Sequence, residues 1–73
     1  MITVVRHRKS DVCKVQLTRD EAHTTLYKVE VYYLRDGEFS PVEISSYARR
    51  FQAEAEYDRT VRRRITEYKR VNR

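Results

Sequence analysis

The only glycine and the only proline of this chain stand close together, in the stretch RDGEFSPVEISSYARRF from Arg35 to Phe51. Everything else folds without either residue, so this stretch decides whether a sheet gains a further strand or gives way to a helix. Asp36-Gly37 is a type I′ hairpin signal, because both central residues of that turn take positive φ and these two residues tolerate it. A strand starting at Glu38 would have to accommodate Pro41, which donates no ladder hydrogen bond and confines the strand to an edge. The helix reading has more parts in agreement. Ser40 can cap the third helical amide, Glu43 can reach back to the Ser40 amide, and Pro41 sits at the first helical position, where its missing N–H costs nothing. Phe39 and Ile44 stand where a hydrophobic staple needs them. Pro41 also pushes Ser40 into the extended region that a cap requires. The local pattern therefore predicts a turn at Asp36-Gly37 and a helix from Pro41 onward.

Ahead of that stretch the pattern is β. Ile2 to Arg8 is short and rich in β-branched residues, and Lys9-Ser10-Asp11 is turn material. Cys13, Val15 and Leu17 alternate with Lys14, Gln16 and Thr18, the period of a half-buried strand. Leu26 to Arg35 alternates again, with Tyr27, Val29, Val31 and Tyr33 on one face and Lys28, Glu30 and Tyr32 on the other. Behind Pro41, Ile44, Tyr47, Ala48, Phe51 and Ala55 form a stripe at helical spacing. The later apolar residues Tyr57, Val61, Ile65 and Tyr68 lie around the cylinder from it. A helix from Pro41 to Arg70 would span about 45 Å, against about 23–30 Å for the strands. The expected fold is α+β: an antiparallel three-stranded β-meander followed by one long C-terminal helix packed on one face. Residues 1–57 make up the meander and supporting helix, and 58–73 a basic extension that is helical or disordered without a partner.

Charge marks the same division. Residues 1–58 hold nine Lys/Arg against ten Asp/Glu, whereas residues 59–73 hold seven against Glu67 alone. The basicity of the chain belongs to its end. A chain of 73 residues makes one thin-cored domain. Its single cysteine, Cys13, offers no intrachain disulfide, which suits a reducing cytoplasm. The start, MITVVRHRK, lacks the apolar run of a signal peptide, and no later run reaches membrane-spanning length.

Residues with reactive side chains are scattered. Cys13 alternates with Val15 and Leu17, the setting of a buried apolar thiol. His7, His23 and Cys13 lie on different segments without the paired spacing of a zinc site. The helical carboxylates pair with arginines at i,i+4, as Arg50/Glu54 and Asp58/Arg62 do. No catalytic residue, metal or cofactor is expected, and the chain reads as a non-enzyme. Of the six tyrosines and two phenylalanines, Tyr27, Tyr33, Tyr47 and Phe51 fit core faces. Tyr32, Tyr57 and Tyr68 point elsewhere and are candidates for a partner surface. Two basic patches, Arg6-His7-Arg8-Lys9 and Arg62-Arg63-Arg64, have the character of an electrostatic footprint for nucleic acid or an acidic protein groove.

The start MITVVRHRKSDV, the small size and the arginine-rich end RTVRRRITEYKRVNR resemble the host-takeover proteins of lytic bacteriophages. Among them, the likeness is to the RNA-polymerase-binding antiterminators of Xanthomonas phages. That resemblance implies a monomer in the bacterial cytoplasm that binds the largest subunit of host RNA polymerase near the RNA exit channel. It further implies inhibition of promoter-dependent initiation and passage through intrinsic terminators. Charge and exposure nominate Arg6, Arg8, Lys9, Tyr32, Arg62, Arg63 and Arg64 as contacts to polymerase or nascent RNA. The alternative expectation is a direct, largely non-specific RNA/DNA-binding module that acts through its basic end.

Overall fold

In the computed structural model, which describes residues 1–22 and 26–67, the chain runs β1 (Ile2–Lys9), β2 (Cys13–Asp20), β3 (Leu26–Arg35) and β4 (Glu38–Tyr47). A helix α1 (Arg50–Val61) follows and widens into a π-helical segment, Arg62–Glu67. The α+β class holds, but the sheet has four strands in the order β1-β2-β3-β4, all antiparallel, not three. The fourth is the stretch expected to begin the helix.

The fourth strand starts from the turn. Asp36 (φ 50°) and Gly37 (φ 83°) both take positive φ between the paired residues Arg35 and Glu38. This is the two-residue hairpin geometry that lays β4 directly along β3. Pro41 is accommodated because β4 is an edge strand and its register with β3 shifts beside the Tyr32–Pro41 pair. Ser40 is a strand residue opposite Tyr33, so the expected capping box never forms. The helix begins at Arg50 behind an extended Arg49 that makes no side-chain cap hydrogen bond.

The helix covers one sheet face, where the buried residues Cys13, Val15, Leu17, Val29 and Val31 meet Ala53, Tyr57 and Ile65. Val5, the extra residue where the β1–β2 register shifts, packs against this core together with Tyr27, Tyr33, Tyr47 and Val61. The buried stripe is thus Ala53, Tyr57, Thr60, Ile65, and not the expected run from Ile44 to Ala55: Ile44 is 54% exposed and Phe51 67%. The helix also passes residue 58 without interruption. Thr60 is buried and Ile65 belongs to the core cluster, so the helical segment still packs on the sheet at residues 60–65. His23, Tyr68 and the end of the basic segment, 68–73, lie outside the described residues. Among the described residues, no helix is long and apolar enough to cross a membrane.

Candidate functional site

The register of the strands sorts the expected contact residues onto two faces. Arg8, Arg6 and Thr3 stand opposite Val15, Leu17 and Arg19, which places them on the helix side. Lys9, His7 and Val4 stand opposite Lys14, Gln16 and Thr18, on the side the helix leaves open. Tyr32 joins Lys9 on the open face, directly across from Lys14.

On the helix side, two of the expected contact arginines are engaged within the chain. The Arg6 guanidinium lies 4.6 Å from the centre of the Tyr57 ring, with Nη1 3.1 Å from Asp58 Oδ1 and 3.6 Å from Glu54 Oε1. Those ion pairs are solvent-exposed and weak, but the stacked contact ties β1 to α1 over a buried ring. Arg64 Nη1 donates to the Tyr33 hydroxyl at 3.1 Å and Nη2 to Glu43 Oε2 at 2.7 Å, which joins the π-helical segment to β3 and β4. Tyr57, a candidate for a partner surface, is 3% exposed and forms part of the core. Burial pushes its phenol above the ordinary range, against the lowering effect of Arg6 and Arg8. Arg8, Arg62 and Arg63 are exposed.

Lys9 and Arg64, one from each basic patch, reach the same end of the sheet on opposite faces. Tyr33 pairs with Cys13, and Lys9 with Lys14, so the end of the sheet that carries Lys9 and Lys14 is also the end reached by Arg64. Arg62 and Arg63 flank that anchor. The β1–β2 turn at this end is held by Ser10, whose amide donates to the Cys13 carbonyl at 2.8 Å and whose Oγ accepts from the Cys13 amide at 3.2 Å.

Comparison with protein families, with curated proteins and with solved structures finds no match. The chemistry of the surface therefore has to carry the functional reading.

That surface is the open sheet face. Ile2, Val4, Leu34 and Ile44 are large apolar residues exposed on it, placed there by their pairing with Asp20, Thr18, Phe39 and Glu30. A single helix cannot cover both faces of a four-stranded sheet, and among the described residues no element covers this face. At its basic end sit Lys9, Lys14, Tyr32 and Phe39. Lys14 and Phe39 were not among the expected contacts; their signal was the outward phase of the strand alternation, which for Phe39 is legible only once β4 is a strand. Burial raises the Tyr32 phenol above its ordinary range, helped by the hydrogen bond it donates to Glu30 Oε1 at 2.8 Å. Among the described residues no three His, Cys, Asp or Glu side chains gather to hold a metal ion. Cys13 is buried, and its thiol is pushed up by burial.

Proposed function

We propose that this protein is a non-enzymatic regulator that docks on bacterial RNA polymerase, suppresses promoter-dependent initiation and promotes passage through terminators. The observation that carries the docking part is the uncovered sheet face, with Ile2, Val4, Leu34 and Ile44 exposed in a chain whose core is already thin. These are single apolar side chains set among polar ones, on β1, β3 and β4, and they support a mixed apolar and polar contact with another protein. Lys9 and Lys14 at the end of this face supply positive charge that suits an acidic partner and speeds encounter. The choice of polymerase, its largest subunit and the exit-channel region rests on the resemblance of MITVVRHRKSDV and RTVRRRITEYKRVNR to the phage antiterminators.

The test is co-elution of the tagged chain with bacterial RNA polymerase at low and moderate salt, followed by a terminator read-through assay. Retention at moderate salt with increased read-through supports the reading. The exposed Arg62 and Arg63 also favour a second reading, direct phosphate binding by the basic end. In that case polymerase is not retained, and binding to RNA and duplex DNA falls steeply with salt irrespective of sequence.

A further inference from the structure

One side chain from each of the four strands meets at the basic end of the open face: Lys9 from β1, Lys14 from β2, Tyr32 from β3 and Phe39 from β4. Lys14 Nζ is 4.6 Å from the Tyr32 ring centre and 5.8 Å from that of Phe39, and Lys9 Nζ is 5.7 Å from Phe39. We infer that this patch is a binding site for a short single-stranded RNA segment, with bases stacked on Tyr32 and Phe39 and the intervening phosphates on Lys9 and Lys14.

The patch is complementary to an unpaired nucleotide. Aromatic rings on an open sheet are stacking platforms, because every base has a π-face and unpaired bases can splay onto them. Here the rings are approached by ammonium groups on flexible stems. An arriving base takes over the ring face, and the displaced lysine is left within reach of the adjoining phosphate, so both halves of the nucleotide find a partner. On the same face, Glu30 accepts from Gln16 Nε2 at 2.6 Å and from the Tyr32 hydroxyl at 2.8 Å. These bonds hold the Tyr32 ring in place, and the carboxylate repels phosphate from the middle of the sheet. His7 and Gln16 complete the row beside Glu30. The phosphate path is thereby confined to the Lys9–Lys14 row. A duplex, whose bases are already stacked, gains nothing from the rings.

The site needs no polymerase, so its test is separate from that of the docking reading. The intact chain is titrated into a fluorescently labelled oligouridylate, with duplex DNA alongside. Preference for the single strand is expected, with Phe39→Leu weakening it by about 5- to 100-fold while far-ultraviolet circular dichroism stays unchanged. Lys9→Glu with Lys14→Glu should remove about 1.4 from the slope of log affinity against log salt, as two lost phosphate contacts require. Should Phe39→Leu disturb the fold, the lysine pair carries the test alone. Equal affinity for duplex DNA, no binding of the oligouridylate, or a loss produced by Arg62→Ala and Arg63→Ala and not by the patch variants would overturn the site. Polymerase co-elution of the parent chain reports on docking by itself.

Discussion

Arg64 and Tyr33 are joined by a 3.1 Å hydrogen bond from the guanidinium Nη1 to the phenolic oxygen, a link between the π-helical segment and β3. A second donor of the same side chain meets Glu43 at 2.7 Å. Arg64 is thus a clasp as much as a charge, and the partly exposed setting limits its worth to about 1–2 kcal/mol. Arg64→Ala should lower Tm by about 4–16 °C in a domain of this size. Arg62→Ala and Arg63→Ala should leave Tm within about 2 °C, since exposed substitutions away from contacts change little. Thermal melts of the three variants check this, and equal Tm values for all three would remove the clasp.

Tyr57 sits at the centre of the helix–sheet contact, with Arg6 4.6 Å from its ring. Truncating a buried aromatic costs about 3–5 kcal/mol. Tyr57→Ala should therefore leave the chain largely unfolded at room temperature or shift its urea midpoint sharply, whereas Tyr57→Phe, which keeps the ring under Arg6, should shift it by little. Equal midpoints for Tyr57→Ala and the parent chain would mean that the helix does not rest on this residue.

Gly37 has φ of +83°, and a methyl group added there would meet nothing within 4 Å. Gly37→Ala therefore probes backbone strain alone, worth about 1–2 kcal/mol for an L-residue held in the left-handed region. Asp36→Asn should be neutral or stabilising, because Asn-Gly is the favoured type I′ pair. Denaturant midpoints decide between these values and a turn that tolerates Ala.

These positions show where local pattern is sufficient and where it is not. The alternation through Tyr27, Val29, Val31 and Tyr33 reports a strand because each side chain alternates between a covered and an open face. Ser40-Pro41-Val42-Glu43 carries every local mark of a helix start, yet the hairpin at Asp36-Gly37 offers β4 a full ladder with β3, and that non-local pairing prevails. The true start at Arg50 has no side-chain cap and so leaves no trace in the sequence. The covering stripe is hard to read because it includes Thr60, and the next turn presents Arg64, whose polar end is satisfied by Tyr33. The arginine patches are visible as charge, but their division into clasp and open surface depends on partners distant in sequence: Tyr57 for Arg6, Tyr33 for Arg64. Phe39 becomes part of the open face only through β4.

Ile44, 54% exposed and opposite Glu30 on the open face, separates docking from folding. Ile44→Thr removes apolar surface from the proposed docking face without entering the core, and it keeps a β-branched side chain with no like charge opposite Glu30. Its stability should stay within about 0.5 kcal/mol of the parent chain, while retention on RNA polymerase at moderate salt should fall at least about tenfold, as for loss of a central apolar contact. Undiminished retention would move the docking surface off this face.

Alkaline pH tests the buried thiol and phenol. Burial raises Cys13 above its ordinary 9.0 and Tyr57 above its ordinary 10.0. The folded chain therefore holds both protons more tightly than the unfolded chain, which gives them up first as pH rises. The stabilisation is complete below the unfolded values and is lost as pH climbs through them toward the folded ones, at no more than about 1.4 kcal/mol per pH unit for each group. Urea midpoints should hold steady to about pH 8.5 and then decline, first with Cys13 and next with Tyr57. Cys13→Ala should start from a lower midpoint, since it empties a buried position, but decline less between about pH 9 and pH 10. Tyr57→Phe should flatten the part of the curve above that. Parallel curves for the parent chain and Cys13→Ala would show that the thiol ionises as readily in the fold as out of it, and would contradict its placement beneath the helix.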